Sequence, residues 1–345
     1  MDLKEIFKLA SSRKASDIHL LVGQPPILRI DGQLTVLSAE EKPLTAVDLN
    51  TITDILLTAE EKNRLIQEKD LDCSYALDDV RFRVNISYEK DNLRVVARII
   101  EEKKPTLDEI GMPVVVKDLL DLPQGLILVT GPTGCGKSTT LAAMINHINS
   151  TRTCNIVTLE DPIEYVFNSD KSLVSQRQLG SDMVSFASGL KHVLRQDPNV
   201  IMVGEMRDYE TISTAITLAE TGHLVLATLH TYNAVQTIDR IIDIFPPHQQ
   251  SQVRSQLSML LTAVISQRLL PRVSGGRVAA RELLIRNAAV ANIIREDKIS
   301  QLKSVMEMHN NTGMITLDNH LKELYQAGEI SRETALTYLE DPKKI

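Results

Sequence analysis

The sequence predicts an α/β protein in which a smaller α+β domain precedes a larger domain built on a parallel sheet. One observation behind this is that several short segments within residues 16–100 alternate between apolar and polar side chains, as strands of a half-exposed antiparallel sheet do. Another is that short, wholly apolar strands are separated by helical segments farther along the chain. A chain of 345 residues also exceeds one typical hydrophobic core, which favours two domains.

The first domain is expected to span residues 1–103. Its predicted strands are Asp17–Val22, Ile27–Ile30, Leu71–Leu77, Arg81–Glu89 and Leu93–Ile100. The turn signals next to these strands are Asp31-Gly32, Asp78-Asp79 and Asp91-Asn92. A helical segment is predicted from Val47 to Glu68. Residues 104–113 are expected to form a linker, because the charged stretch before Pro105 cannot be buried and proline breaks regular structure.

The second domain is expected to have its core over residues 114–287. Its parallel strands are predicted at Leu126–Thr130, Ile156–Leu159, Val200–Val203 and Leu224–Ala227. From Ala288 onward the pattern is helical, with breaks at residues 309–314 and at Gly328. We therefore expect a helical appendage over residues 288–345.

A glycine-rich loop follows the first of these apolar strands and leads into a helix. It reads Gly131-Pro132-Thr133-Gly134-Cys135-Gly136-Lys137-Ser138-Thr139. The glycines let successive backbone N–H groups point at phosphate oxygens, Lys137 can reach the β- and γ-phosphates, and Ser138 can ligate Mg²⁺. Strand, loop and helix occur in the order that such a cradle needs. The sequence therefore predicts a bound nucleoside triphosphate with Mg²⁺.

Carboxylates follow the next two predicted strands. The first of these strands runs into Glu160, Asp161 and Glu164. A carboxylate at this edge could orient or deprotonate the water that attacks the triphosphate; a solvated acidic turn is the alternative. After the other strand, Gly204 stands where a P-loop NTPase usually has its Mg²⁺-binding aspartate. Glu205 is then the carboxylate left to serve the metal, directly or through water.

The fourth apolar strand has a histidine at each end, His223 and His230. Side chains seven residues apart face opposite sides of a regular strand, so the two are not expected to share one metal. Either could sense the γ-phosphate, and a purely structural role is the alternative. Arg207 and Asp208 follow Glu205 after one residue, and for them a surface ion pair is the alternative to a functional role.

The composition argues against several classes of function. Lys and Arg number 38 against 45 Asp and Glu, the net charge is -7, and there is no Trp, which argues against a nucleic-acid motor. No apolar run approaches the ~20 residues of a membrane span, and the first residues lack the apolar core of a signal peptide. The three cysteines are widely spaced, which is typical of a reducing compartment. We expect a cytoplasmic protein without a membrane span or a nucleic-acid partner.

The order of these four blocks resembles the secretion ATPase superfamily, which drives type II secretion, type IV pili and related machines. The blocks look like its Walker A, Asp box, atypical Walker B and His box. The resemblance runs from Ser16-Asp17-Ile18-His19-Leu20 to Asp341-Pro342, nearly the whole chain. It implies an ATP-hydrolysing, RecA-like P-loop core, preceded by a PAS-like α+β domain and followed by the helical appendage.

Within that superfamily the chain is most similar to the pilus retraction ATPases of twitching motility. The short N-terminal part, the stretch 236–246 and the segment 289–296 carry this similarity. The last segment resembles the family's Ala-Ile-Arg-Asn-Leu-Ile-Arg-Glu helix but departs from it at Val290 and Ala291. Assembly and secretion relatives generally carry a four-cysteine metal-binding insertion that this chain lacks, which favours retraction.

The resemblance also implies a mechanism and partners. The protein would be a homohexamer at the cytoplasmic face of the inner membrane, acting on a membrane platform protein at the pilus base. Glu164 would be the catalytic base and Glu205 would hold Mg²⁺, with the reverse assignment open. The family's first domain brings arginines onto the nucleotide, and Arg81 and Arg98 are the candidates, with exposed strand arginines as the alternative. The candidate sensors or subunit-bridging cations are Arg195, Arg207 and Arg240, with His230 beside them as a candidate catalytic residue.

Other functions stay open at this point. The chain could be an accessory retraction, pilus assembly or type II secretion ATPase of the same superfamily. A more distant alternative is a nucleotide-dependent conformational switch with little hydrolysis, which would need neither Glu164 nor Glu205.

Overall fold

The computed structural model describes residues 3–30, 33–38, 42–78, 80–100, 103–309 and 312–339, which fall into two units. The first unit comprises residues 1–103 with residues 164–166, and the second comprises residues 104–163 and 167–345. The segment expected to be a linker, 104–113, thus groups with the second unit. Parts of the predicted turns, linker and motifs lie outside the described residues: Asp31-Gly32, Asp79, Glu101-Glu102 and Asp341-Pro342.

The first unit is built on an antiparallel sheet. Its strands are β1 (Asp17–Leu21), β2 (Ile27–Ile30), β3 (Gln33–Val36), β4 (Asp70–Leu77), β5 (Val80–Glu89) and β6 (Asn92–Ile100). They pair in the order β3-β2-β1-β6-β5-β4. The strands predicted from alternating polarity are confirmed, and β3 completes the hairpin that begins with β2.

One face of this sheet packs against helices α1 (Leu3–Ser12), α2 (Ala46–Leu56) and α3 (Ala59–Glu68). The strand residues on that face, such as Ile18 and Phe82, are fully buried. The ring of Phe7 from α1 lies 4.4 Å from the ring of Phe82. Because strand side chains alternate, the polar residues between these positions occupy the opposite face of the sheet.

The single helical segment predicted over residues 47–68 was wrong, because the structure has two helices there. Thr58 has extended backbone with φ -68° and ψ 166°, and it caps the second helix. Its hydroxyl accepts from the Glu61 N–H at 3.3 Å, while the Glu61 carboxylate accepts from the Thr58 N–H at 2.8 Å. This reciprocal capping box begins α3 within what sequence periodicity alone treats as one continuous segment.

The second unit is built on a mixed, mostly parallel sheet. Its strands are β7 (Gly125–Thr130), β8 (Asn155–Glu160), β9 (Leu173–Gln178), β10 (Val200–Val203), β11 (Leu224–Leu229), β12 (Leu261–Pro271) and β13 (Arg277–Ile285). Their order is β13-β12-β7-β11-β10-β8-β9, and β13 is antiparallel to β12 while the other neighbours are parallel. The predicted apolar strands are confirmed as β7, β8, β10 and β11. The prediction missed the three other strands.

Helices cover this sheet and continue to the end of the described chain. They are α4 (Val115–Leu120), α5 (Lys137–Thr151), α6 (Phe186–Val193), α7 (Tyr209–Glu220), α8 (Ala234–Asp243), α9 (Pro247–Leu260), α10 (Ala288–Arg295), α11 (Leu302–Met308), α12 (Leu317–Gln326) and α13 (Arg332–Tyr338). The helical character predicted from Ala288 onward is confirmed over the described residues. Within that same part of the chain, no helix combines the length and apolarity needed to cross a bilayer.

Loss of the Thr58 cap should loosen α3 specifically. We expect Thr58→Ala to destabilise this helix by about 1 kcal/mol and to speed amide hydrogen exchange over residues 58–68 by about fivefold. Thr51→Ala is the control, because exposed Thr51 bonds only to the Val47 carbonyl within its own helix. Equal exchange rates over residues 58–68 in all three proteins would contradict the capping role.

Candidate nucleotide-binding site

The glycine-rich loop between β7 and α5 has the backbone of a phosphate cradle. All three of its glycines have positive φ: 143° at Gly131, 78° at Gly134 and 87° at Gly136. A Cβ atom on Gly131 would lie 2.3 Å from the carbonyl oxygen of Gln267, so no side chain fits there. A Cβ atom on Gly134 would meet nothing within 4 Å. The loop is therefore packed on one side and open on the other, as a bound phosphate chain requires.

Lys137 folds back over this loop. Its Nζ donates to the carbonyls of Gly131 at 2.8 Å and Pro132 at 3.2 Å. Lys137 also begins α5, where free backbone N–H groups and the helix dipole favour an anion. Ser138 and Thr139 follow it, half-buried, in the first turn of the helix. The residues predicted to bind phosphate thus form one continuous segment, which consists of the loop and the first turn of α5.

Gln267 of β12 supports the loop through its side chain. Its Nε2 donates to the Cys135 carbonyl at 2.8 Å, and its Oε1 accepts from the Thr140 hydroxyl at 2.9 Å. Gln267 is 2% exposed, so both bonds are protected from water. The same surroundings bury Cys135, and burial raises the pKa of its thiol. No local pattern in the sequence marks Gln267, because its strand was not predicted.

Glu205, at the end of β10, lies in a network of charged side chains. Its Oε1 is 2.8 Å from Nε of Arg207, and its Oε2 is 3.5 Å from Nε2 of His230. The other ring nitrogen of His230, Nδ1, is 3.5 Å from Nζ of Lys137. The structure therefore brings four predicted site residues together, with His230 between the lysine of the loop and the carboxylate of β10.

His230 lies between two groups of opposite charge. A lysine ammonium offers only donors and a carboxylate only acceptors. Lys137 and Glu205 each lie 3.5 Å from a different ring nitrogen of His230. A phosphate that draws Lys137 away therefore changes the surroundings of His230 and, through it, those of Glu205.

The other histidine of the His box has a structural role. Nδ1 of His223 lies 2.9 Å from the Leu218 carbonyl and 3.2 Å from the Thr221 hydroxyl. These contacts close the turn between α7 and β11 at the opposite end of the strand from His230. Asp208, which follows Arg207, caps α7 by accepting from the Thr211 N–H at 2.9 Å. The structural alternative thus accounts for His223. Asp208 is a helix cap, and Arg207 pairs with Glu205, so the surface ion pair between Arg207 and Asp208 is not what the structure has.

Gly204 has a steric reason to replace the usual aspartate. A Cβ atom there would lie 3.1 Å from the Leu159 carbonyl oxygen and 3.4 Å from the Glu160 Cα atom. The Gly204 N–H also donates to that Leu159 carbonyl at 2.8 Å. The end of β10 therefore presses against the backbone of β8, which leaves little room for a side chain at residue 204.

The acidic run after β8 is divided between the units. Glu160 is 8% exposed, and its Oε1 accepts from the Thr158 hydroxyl at 2.7 Å and from Nε2 of Gln176 at 2.9 Å. These bonds hold it against its own strand and the neighbouring strand β9. Glu164, the predicted catalytic base, is exposed and groups with the first unit. Its catalytic role stays a prediction.

The predicted arginines of the first unit bond to neighbours within its sheet. Arg81 Nη2 lies 3.4 Å from the Ser74 hydroxyl, and Arg98 Nε donates to Asp17 Oδ1 at 2.8 Å. Burial acts to raise the pKa of Asp17, but hydrogen bonds from Arg98 and Ser16 outweigh it and lower that pKa. The roles of Arg81 and Arg98 toward a nucleotide stay predictions.

Two further candidate cations lie in the second unit. Arg240 is exposed on α8, and Arg195 is exposed just after α6. Neither belongs to the network around Glu205 described above, and their roles as sensors or bridges between subunits also stay predictions.

The residues after His230 connect the site to the last helix. Asn233 caps α8 by accepting from the Gln236 N–H at 2.8 Å. The ring of Tyr232 lies 5.8 Å from the guanidinium carbon of Arg268, which is 5.7 Å from the ring of Tyr338 in α13. Such cation–π distances are weakly attractive. Arg268 thus links the His-box loop and α13 beside Gln267.

The chain is similar to known proteins over nearly its whole length. The model of the type II/IV secretion system protein family matches residues 1–335. The type IV pilus retraction ATPase PilT of Pseudomonas aeruginosa is 45% identical over 336 residues, 97% of each chain. A twitching motility protein of Neisseria gonorrhoeae is 46% identical over 312 residues, 90% of this chain and 83% of that protein. The crystal structure of the pilus retraction motor PilT with bound ADP has a TM-score of 0.94 and 46% identity, covering 100% of this chain and 99% of the other.

Removing the Gln267 amide should weaken nucleotide binding. Gln267→Leu keeps the volume but leaves the Cys135 carbonyl and the Thr140 hydroxyl buried without their bonds, which costs about 1–3 kcal/mol. We expect the Kd of a fluorescent ADP analogue to rise about tenfold. Gln301→Leu, at an exposed position, is the control and should leave the Kd unchanged. An unaltered Kd in Gln267→Leu would show that the loop does not need this support.

Proposed function

The chain belongs to the type II/IV secretion system protein family, and from this premise we propose that it is the ATP-hydrolysing motor that retracts type IV pili in twitching motility. The observation that carries the proposal is the similarity to the pilus retraction motor, which extends over the whole chain and not over the P-loop alone. In this proposal the second unit is a RecA-like ATPase core over 114–287 with a helical appendage over 288–345. The first domain, over 1–103, is PAS-like, and residues 104–113 join the two.

The cradle of residues 131–139 binds ATP. Lys137 exchanges the carbonyls of Gly131 and Pro132 for the β- and γ-phosphates. The Ser138 hydroxyl and the Glu205 carboxylate would hold Mg²⁺, because this ion prefers oxygen ligands and usually combines one or two protein groups with phosphates and water. Bound Mg²⁺ would neutralise charge on the phosphates.

Hydrolysis needs a base for the water and cations for the developing charge. Glu164 accepts the proton of the attacking water, and Glu205 serves the metal; the reverse assignment is the alternative. Arg81 and Arg98 of the first unit approach the γ-phosphate, and Arg98 exchanges Asp17 for the nucleotide as it does so. A movement of Lys137 changes the contacts of His230 and, through them, those of Glu205.

Arg207, Arg240 and Arg195 act farther from the reacting atoms. In this proposal they sense the nucleotide or bridge neighbouring subunits of a homohexamer. Arg207 already neutralises one oxygen of Glu205, so its withdrawal would free that oxygen for the metal. The ring works at the cytoplasmic face of the inner membrane on a platform protein, without nucleic acid and without a membrane span of its own.

Helix α10 supports retraction within the family. The departures from the retraction motif fall on buried positions: Val290 is 0%, Ala291 is 9% and Ile293, which stands where the motif has Leu, is 7% exposed. The exposed Asn292, Arg295 and Glu296 are the residues that the motif has at those places. These shared exposed residues support retraction, while Ala291 takes the place of an arginine of the motif.

Steady-state hydrolysis tests the enzymatic part of the proposal. We expect Glu205→Gln and Glu164→Gln to lower kcat by about 100-fold or more, because each removes a carboxylate used in the transition state. Glu333→Gln, at an exposed position in α13, is the matched control. Native mass spectrometry of each protein checks that the hexamer persists. Negligible turnover by the unaltered protein would favour the conformational switch instead.

Twitching of a strain that lacks its retraction ATPase tests the direction of the motor. We expect the unaltered chain alone to restore surface motility and the Glu205→Gln variant to leave the strain immobile, because retraction requires hydrolysis. Restoration only alongside a second retraction ATPase would identify the accessory motor. Loss of surface pili on deletion of the protein from its own host would identify an assembly motor.

A further inference from the structure

Residues 105–112 form a turn that is folded as part of the second unit. Three backbone bonds close it: Ile110 N–H to the Thr106 carbonyl at 3.2 Å, Gly111 N–H to Asp108 at 3.0 Å and Met112 N–H to Leu107 at 2.9 Å. Two of its apolar side chains are buried, since Leu107 is 3% and Met112 is 5% exposed. This stretch, which was expected to be part of a linker, is therefore held by its own bonds and by the core.

A buried arginine of β13 holds this turn. Arg281 is 3% exposed, and its Nη1 and Nη2 donate to the carbonyls of Gly111 at 3.0 Å and Ile110 at 2.6 Å. Burial lowers the pKa of Arg281 to about 10, so the group is still charged at neutral pH. The planar fork of a guanidinium matches two consecutive carbonyls, which a lysine ammonium does not.

Stability alone does not explain an arginine here. A charge taken out of water is costly, and a packed apolar side chain of similar volume is often neutral or stabilising in its place. Arg281 Nε has no hydrogen-bond partner among the described residues, which adds to that cost. The two bonds to the turn are what the guanidinium provides and an apolar residue could not.

The strand itself is fixed next to the same arginine. The Arg281 N–H donates to Nδ1 of His320 in α12 at 2.8 Å. Burial, helped by the nearby Arg281 charge, lowers the pKa of His320 to about 4, so its ring is neutral and able to accept at physiological pH. The arginine thus projects from a backbone position that is itself anchored by a neighbouring helix.

The other end of the turn is tied to the helix of the P-loop. Asn146 lies in α5, which begins at Lys137, and its Nδ2 donates to the Pro105 carbonyl at 3.2 Å. Arg281 is also the direct cross-strand partner of Gln267, the residue that supports the loop. Directly opposite residues of an antiparallel pair project from the same face. One pair of residues therefore serves both the phosphate cradle and the turn.

We propose that Arg281 is a positioning residue for ATP hydrolysis: with Asn146, it couples the turn 105–112 to the P-loop helix so that the two move as one body. The inference rests on the proposed ATPase function. A displacement of α5 on nucleotide binding then moves Pro105 and the backbone before it. A flexible connection would not transmit this displacement. Without Arg281 the nucleotide still binds, but its binding no longer moves the residues that precede Pro105. The rate of ATP turnover therefore falls.

Arg281→Met tests this in the full-length protein. The substitution removes both donors and keeps an apolar stem, and Arg277→Met on the same strand is the control because Arg277 is exposed. We expect hydrogen exchange at the amides of Ile110, Gly111 and Met112 to rise about tenfold and kcat to fall about tenfold. The KM for ATP and the Kd of a fluorescent ADP analogue should stay within about twofold of the unaltered protein, a split that general destabilisation would not produce.

The outcomes separate the anchor from its effect. Unchanged exchange over the turn would overturn the anchoring, and faster exchange with unchanged kcat would overturn the coupling. Absence of turnover in the unaltered protein would instead contradict the ATPase function, and the inference with it. If Arg281→Met folds poorly, Asn146→Ala carries the test, because it removes only the bond to Pro105. Its kcat should also fall at unchanged KM, and an unchanged kcat would overturn the proposal.

Discussion

The close contact between the P-loop and strand β12 is the constraint on which the rest of the second unit depends. The Gln267 carbonyl oxygen lies 2.3 Å from the position that a Cβ atom of Gly131 would take, and the Gln267 side chain bonds to the Cys135 carbonyl in the loop and to the Thr140 hydroxyl in α5. One step back, the Thr130 hydroxyl donates to the Ser266 hydroxyl at 2.9 Å between the same two strands. Buried polar groups of this kind fix a single arrangement, because any shift leaves them unsatisfied. The cradle is thus shaped by its neighbour strand as much as by its glycines.

The parallel sheet explains why residues far apart in the chain meet at this loop. Strands β7, β10 and β11 end at one edge and there deliver Lys137, Glu205 and His230. The two distances that join them through His230 are both 3.5 Å, longer than a strong hydrogen bond. An imidazole ring at these distances from both charged groups makes a weak link. A weak link is suited to a sensor, since an arriving phosphate can rearrange it at small cost.

Sequence reasoning succeeded where a local pattern encodes the structure. The glycine-rich loop, the apolar parallel strands and the alternating strands of the first unit each carry such a pattern, and all were confirmed. It failed where contacts with residues distant in the sequence determine the local structure. Strand β9 was not predicted, because its residues Ser175, Gln176 and Arg177 are polar and do not form an apolar run. Strand β12 follows α9 without a turn residue between them, so periodicity shows no boundary. Thr58 and Glu61 have the spacing of a capping box, which indicates the start of a helix. The boundary between α2 and α3 was still missed, because the residues on both sides of Thr58 have a helical pattern.

The residues that sequence reasoning missed share a physical cause. Gln267 and Arg281 are polar, buried and important only through atoms more than 100 positions away in the chain, at Cys135 and Gly111. No periodicity or motif marks such a residue, because in the sequence it is one polar position within a strand. In the structure the two form one cross-strand pair. Gln267 and Arg281 project from paired strands, so together they fix both the position and the orientation of the P-loop and the turn. That is why the P-loop and the turn before it are able to act as one piece.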